Sequence, residues 1–395
     1  QMSNSSLISS SVPTFSTVPL RKRNQTTRRL NVARRAGKGV PSLSASGIAK
    51  LIWGKSLPPG VLISAVRLAW NSLWQVMMSQ MAPADPAGAY SRPPSKFRLR
   101  SSPLPQRSSL HLYVGIPCPW AHRTLIVRAL KGLERAIPVS VAKPGKDGAW
   151  EFCRNLGYAA PSGEGELSPS PDLVGGFSNL REVYASRRGG YDGRATVPML
   201  WDVAKQEVLC NESYDIIEFL NSGLNDVAQN PSLNLAPIEL KEKMEEWNRV
   251  IYPNVNNGVY RVGFSQSQEV YDKAANDLFA TLDTLESHLA TSRYLCGEDF
   301  TLSDVCLFTT LIRFDLVYNV LFKCTKKKLV EYPNLHGYMR DIYQIPKVAG
   351  TCSFSATMDG YFGELFPLNP GCIVPVMPSG YQSDALFAPH HRDLL

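Results

Sequence analysis

No aspartate or glutamate occurs in the sequence before Asp85. Eleven Lys and Arg residues lie in that stretch, from Arg21 to Arg67, which leaves 31 basic against 34 acidic residues for the rest of the 395-residue chain. The formal charge of +8 therefore belongs to one end. The body is mildly acidic and lacks the basic face that nucleic acid requires. Paired cysteines are missing as well. Eight are scattered with no C-x-x-C pair, which argues against a disulfide framework or a structural zinc site and leaves a set of reduced thiols. Long apolar runs are absent. The one membrane candidate, 62–78 (LISAVRLAWNSLWQVMM), is short and is interrupted by Arg67, Asn71 and Gln75. Leu62, Val66, Ala69, Leu73 and Met77 recur at helical spacing, so the segment predicts an amphipathic helix packed on the body and no transmembrane span.

The acid-free stretch over 1–55 is rich in Ser, Thr and Arg and has no continuous apolar core of the secretory kind. It reads as a disordered organelle transit peptide, its serines favouring chloroplast (stroma) over mitochondrion; the competing reading is a basic tail. Residues 56–109 form an extension that carries the amphipathic helix and then a Pro/Ser/Ala-rich linker from 81. The length of 395 residues suggests two or three domains of roughly 100–200 residues each. In the first, 110–225, LHLYVGI (110–116) is a strand, 119–130 a helix opening on Pro119, and 137–142 a second strand, a parallel pair with a crossover helix. A Gly/Pro/Ser-rich loop over 144–176 follows. Then come a hairpin (199–202 and 207–210) and a helix from Ser213. That order is α/β and thioredoxin-like. Residues 235–368 change to helical periodicity, with helices over 238–250 and 270–289 and a capping box at Thr301 and Asp304, an all-α second domain. Residues 369–395 read as an extended tail, disordered over its last fifteen or so.

The chemistry concentrates where the first strand meets the first helix, at Cys118-Pro119-Trp120-Ala121-His122-Arg123. A thiol at a helix N-terminus meets free backbone N–H groups and the positive end of the dipole, which predicts a pKa below the free-thiol value of about 8.5. A dithiol motif needs a second Cys at 121, where Ala121 stands. An external thiol must therefore resolve any adduct on Cys118, and glutathione is the obvious candidate. The competing readings are an inert core cysteine and a zinc site from Cys118 and His122, the latter two ligands short. His122 and Arg123 read as structural, on the helix surface and in packing. Val197-Pro198 occupies the loop that faces the active cysteine in thioredoxin-like folds, where a cis proline leaves the preceding backbone free for a peptide ligand. Asn211-Glu212-Ser213 precedes a helix. Its N–H donors and the Ser213 hydroxyl suit a carboxylate and Glu212 an ammonium group, both present on the γ-glutamyl end of glutathione. Ser213 as a plain N-cap is the alternative.

These stretches, with NNGVYRVGF, LFTTLIRFDLVYNVLFKC, YPNLHGYMRDIYQIP and NPGCIVP, resemble the glutathionyl-hydroquinone reductases, the Xi class of glutathione transferases, from about Leu110 to Pro375. The resemblance implies a thioredoxin-like domain followed by an all-helical glutathione transferase domain. It implies Cys118 as nucleophile, Tyr260 as proton donor, and Tyr318 and Tyr361 as phenols that lower the cysteine pKa. Trp150, Arg194, Ala195, Thr196, Val197, Glu212 and Ser213 would contact glutathione. Without the resemblance, Tyr318 and Tyr361 read as core and Trp150 as a loop anchor. The implied reaction is glutathione-dependent reduction of glutathionyl-hydroquinones through a mixed disulfide on Cys118, with no metal and no bound redox cofactor, in a homodimer. The arm between Arg98 and Leu110 and the loop 153–178 depart from the family pattern, which bears on the pocket rim. Two alternatives stand beside this reading: an omega-type transferase with thiol transferase or dehydroascorbate reductase activity, and a non-catalytic glutathione transferase-like binding module.

Overall fold

The computed structural model describes residues 60–99, 109–145, 148–153 and 168–395. The transit-peptide reading of 1–55 and most of the atypical 153–178 loop lie outside them. The chain divides into two compact units, Gln1–Ala65 and Val66–Leu395, and every feature below from Val66 onward belongs to the second.

The first element is helix α1 (Gly60–Met81). The sheet then begins with β1 (Leu110–Gly115), whose six residues are all buried. Helix α2 (Pro119–Leu130) crosses to β2 (Val139–Pro144), parallel to β1 in the register Leu112 to Val139. Strand β3 (Trp150–Glu151) pairs antiparallel with the end of β2, inside the segment read as loop from the sequence. After α3 (Leu180–Ala185), β4 (Met199–Asp202) and β5 (Glu207–Cys210) form the expected hairpin, with β4 antiparallel to β1. The strand order is β3-β2-β1-β4-β5. Helix α4 (Ser213–Ser222) packs beside α2.

The second half is helical: α5 (Lys241–Ile251), α6 (Gly258–Gly263), α7 (Gln268–His288), α8 (Leu302–Leu311), the short α9 (Asn319–Leu321), α10 (Pro333–Gln344) and α11 (Phe354–Glu364). Two π-helical turns interrupt it, Tyr252–Asn256 before α6 and Phe314–Tyr318 after α8. The capping box of α8 is present, Asp304 accepting from the Thr301 N–H at 2.8 Å. Asp304 also accepts from Leu295 N and the Tyr338 hydroxyl, so the first turn of α8 is tied to α10 as well as to itself.

Three segments differ from the sequence reading. From Val66 on, the apolar stripe of α1 is largely exposed; the helix is attached near its end, through buried Met78 and a bond from Trp74 Nε1 to Pro367 O. The 81–99 part of the linker is not a spacer. The Phe97 carbonyl accepts from Asn211 N and its N–H donates to Asn211 Oδ1, and Arg98 grips Asp215 with two bonds of 2.7 and 2.8 Å. The tail is docked, not disordered. It holds α12 (Ser383–Leu386), and buried Arg392 donates to the Leu289, Ser292 and Arg293 carbonyls beyond the end of α7. Among the described residues no helix is long and apolar enough to cross a membrane.

Candidate active site

Cys118 is the N-cap of α2, with extended backbone (φ −76, ψ 115) and Pro119 at the first helical position. A proline costs nothing there, because its missing N–H is one the helix leaves unpaired. The Cys118 thiol donates to the Val197 carbonyl at 3.5 Å, across the loop that ends in the cis Val197–Pro198 peptide. The N–H groups of Ala121 and Trp120 and the charges of Arg92 and Arg313 all favour the thiolate. Burial opposes them and is the largest effect, pushing the Cys118 pKa up. This corrects the expectation of a lowered value. The helix terminus supplies the donors, but the sulfur sits in too little water for them to prevail on their own.

The turn that carries the thiol is held from the helical side. Arg313, buried at the end of α8, donates to the carbonyls of Ile116 and Pro117 and to Nδ1 of His122 at 2.9 Å. A guanidinium has no acceptor, so Nδ1 accepts and the His122 proton resides on Nε2, 2.8 Å from Thr351 Oγ1. Burial first, then the Arg313 charge, hold the His122 pKa well below its ordinary value, so the ring is neutral. Arg123 is also buried, donating to Ser213 Oγ at 3.3 Å and Asn256 Oδ1 at 2.9 Å with its plane over Trp120. His122 and Arg123 thus lie inside the molecule and not on a helix surface. Helix α2 runs between the sheet and the helical half, and eleven of its twelve residues are buried. The apolar residues on every face of 119–130 were the signal for this.

Three phenols meet near the thiol. The Tyr260 and Tyr361 hydroxyls are 2.7 Å apart, and those of Tyr318 and Tyr361 are 3.1 Å apart. Burial raises all three pKa values well above the ordinary range for Tyr260 and Tyr361, and in the same direction for Tyr318, so each keeps its proton at neutral pH. A negative charge on Cys118 would push the Tyr260 and Tyr318 pKa values further up. Glycine makes the close approach possible. A Cβ on Gly360 of α11 would collide with Pro117, so the residue before Tyr361 must be bare for that helix to lie against the Cys118 turn. Trp150 makes the corresponding demand on the sheet side: its indole covers Gly115, where a Cβ would overlap the ring.

The third group lies at the start of α4. Glu212 is its N-cap, accepting from Tyr214 N and from Ser95 Oγ at 2.9 Å. Ser213, the first helical residue, is buried with its hydroxyl on Arg123. Thr196 is fixed by Asn211 Nδ2 on its hydroxyl and by the Tyr184 hydroxyl on its carbonyl. Ala195 is half-buried beside it, and Arg194 is exposed on the preceding loop. Thus Cys118, Val197, Tyr260, Tyr318 and Tyr361 converge, while Thr196 on the cis-proline loop is joined through Asn211 to the start of α4, where Glu212 and Ser213 stand. Sequence reasoning missed Arg92, Ser95, Asn256 and Arg313. Arg92 also lies over Trp120, 4.1 Å from the ring centre, and adds positive charge near the sulfur. Among the described residues no group of three His, Cys, Asp or Glu side chains is placed to hold a metal.

A thioredoxin-like sheet, a solitary cysteine at a helix N-terminus facing a cis proline, and an all-helical second half define a cysteine-type glutathione transferase. Comparison with known proteins agrees: the glutathione S-transferase N-terminal domain family matches 117–222 and the C-terminal domain family 268–341. Glutathionyl-hydroquinone reductase PcpF of Sphingobium chlorophenolicum is 38% identical over 324 residues, 81% of this chain and 96% of that protein. Glutathionyl-hydroquinone reductase YqjG of Escherichia coli is 37% identical over 85% of this chain and 99% of its own length. The solved glutathione S-transferase Xi of Phanerochaete chrysosporium superposes with a TM-score of 0.69 at 36% identity, covering 75% of this chain and 95% of that one. The chain belongs to the glutathionyl-hydroquinone reductases, the Xi class of glutathione transferases.

Proposed function

We propose that this protein removes glutathione from glutathionyl-hydroquinones, with glutathione as co-substrate. The Cys118 thiolate attacks the sulfur of the conjugate. The carbon–sulfur bond breaks, and the ring carbon takes the electron pair and a proton from Tyr260, leaving as free hydroquinone. Cys118 is left in a mixed disulfide with glutathione. The thiolate of a second glutathione attacks that disulfide, freeing Cys118 and releasing glutathione disulfide. The two electrons come from thiols, so the scheme requires no metal or bound redox cofactor.

The observation that carries this reading is the phenol cluster beside a solitary thiol. A disulfide exchange expels a thiolate, which is stable without a proton. Expulsion of a ring carbon needs a positioned acid. Tyr260 retains its proton because it is buried and because Tyr318 and Tyr361, the latter with its hydroxyl 2.7 Å away, push its pKa up further. Glu212, Ser213 and the N-terminus of α4 take the γ-glutamyl end of glutathione, and Arg194, Ala195, Thr196, Val197 and Trp150 take the remainder. Tyr260→Phe separates this reading from an omega-type thiol transferase. Loss of a general acid costs on the order of 10²–10⁴ in rate. Turnover on a glutathionyl-hydroquinone should fall by that factor, while turnover on a mixed disulfide of glutathione and hydroxyethyl thiol changes little. Equal losses on both substrates would assign Tyr260 to binding or to the thiol pKa, and no loss on either would remove it from the reaction.

The basic, acid-free stretch 1–55 supports import into the chloroplast stroma, and the habit of the family supports a homodimer. A fluorescent fusion of 1–55 that stays in the cytosol would sink the first assignment, and a monomeric mass by light scattering the second.

A further inference from the structure

Helix α1 from Val66 onward presents an apolar face that is exposed among the described residues. Val66, Ala69, Trp70, Leu73, Val76 and Met77 fall within one half of the helix circumference at 100° per residue. Val66 is 61% exposed, Leu73 53% and Val76 57%, and the Trp70 indole is also exposed. The helix is moored at its far end by Met78 and by the Trp74 bond to Pro367. Six residues beyond Pro367 begins a second exposed apolar stretch, Ile373, Val374, Val376 and Met377, with Val376 92% exposed. The Trp74 bond thus ties α1 to the segment that leads into this stretch. Arg67 is the only charged residue on the helix. Of the six Lys and Arg residues between 56 and 109, Arg92 lies over Trp120, Lys96 over Tyr191 and Arg98 on Asp215, whereas Arg67 is exposed on the helix and no acid precedes Asp85.

We propose that this face is a docking surface for an anionic lipid membrane, with α1 lying in the plane of the interface. A wide apolar arc, tryptophan at its border, an exposed basic residue with no acid on the helix and a length too polar to span are the attributes of an interfacial helix. The charge pattern favours lipid over a second copy of the chain. A two-fold pairing of α1 would bring together two helices whose only charge is Arg67, with no acid on either to answer it, whereas anionic headgroups answer Arg67. Docking there puts the enzyme on the phase in which apolar quinols dissolve, a benefit that rests on the reaction proposed above; the docking itself does not.

The test is co-sedimentation of the full chain with phosphatidylglycerol/phosphatidylcholine vesicles, comparing it with the double variant Trp70→Glu/Leu73→Glu. Both side chains are exposed, so the variant keeps the fold and its turnover on a soluble glutathionyl-hydroquinone. The expected result is vesicle binding by the natural chain and binding weaker by roughly tenfold or more in the variant, since two apolar contacts become two charges facing anionic lipid. Three results would overturn the proposal: no vesicle binding by the natural chain; undiminished binding by the variant, which assigns the affinity to the basic segment alone; or a drop in solution mass in the variant, which assigns the face to a second copy. Failure of turnover with vesicle binding intact would strike the proposed reaction and leave the docking surface standing.

Discussion

At Cys118 two effects of opposite sign act on one sulfur atom. The N–H groups of Trp120 and Ala121, with the charges of Arg92 and Arg313, draw the pKa down, and burial lifts it further than they lower it. The glutathione-free enzyme therefore holds a thiol that donates to Val197 O, and the phenols of Tyr260, Tyr318 and Tyr361 hold their protons too. The expected consequence is an iodoacetamide reaction at Cys118 whose rate is still climbing at the ordinary thiol value of 9.0. Peptide mapping is needed to read it, because Cys153 and Cys352 are half-buried and Cys372 is exposed, and all three compete for the reagent. An alkylation midpoint near neutral pH at the Cys118 peptide would mean that the donors outweigh burial. In the same mapping, turnover with limiting glutathione should leave its adduct on Cys118, and Cys118→Ser should abolish deglutathionylation with the fold retained.

The elements that could be read from the sequence are those whose signal is local. Strand β1, the proline-initiated α2, the hairpin β4–β5, the start of α4 and the capping box of α8 each announce themselves within a few residues. The arm and the tail do not, because long-range contacts order them. Ser95 reaches Glu212 across 117 residues of sequence, and Arg392 reaches Leu289 across 103. Strand β3 has two residues, too few for an alternating pattern. The two π-helical turns are invisible for a different reason: one extra residue per turn leaves an apolar stripe nearly intact. Yet they bear directly on the site. One contains Tyr318; the other ends at Asn256, whose amide bonds Arg123, Cys306 O and Thr310 Oγ1 and precedes the helix carrying Tyr260. The nucleophile was legible from its motif, and the tyrosines only from resemblance to a family, since in an apolar helix a catalytic phenol and a core phenol have the same pattern. For α1 the pattern gave the helix and not its surroundings. An amphipathic stripe states that one face is apolar, and the partner of that face is not encoded in the spacing.

On the scale of the whole molecule, burial keeps the imidazoles of His122 and His111 neutral. His122 joins α2 to Arg313 and Thr351, and His111 of β1 lies 2.8 Å from Ser140 Oγ of β2. Burial is the main cause in both, and it lowers the His111 pKa to about 4. In the unfolded chain each ring takes a proton near its ordinary value of 6.5. Below that pH the unfolded state binds more protons than the native state, so stability falls as pH falls, and His111 goes on contributing to the loss until its folded value is passed. At pH 5 the His111 contribution is on the order of 2 kcal/mol, since each unit is worth about 1.4 kcal/mol. Buried acids run the other way. Asp304, Asp315 and Glu218 have pKa values raised chiefly by burial and take protons earlier in the native state, so the slope of the natural chain is a net quantity. The comparison that isolates one ring is His111→Gln, whose amide nitrogen can take the place of Nε2 beside Ser140 without titrating, while the three acids cancel between the two proteins. Chemical denaturation at pH 7 and pH 5 should show the natural chain losing on the order of 2 kcal/mol more than the variant over that interval. Equal losses would mean that His111 becomes protonated in the native state as readily as in the unfolded one, and that the closed interior around β1 admits a proton that its burial argues it excludes.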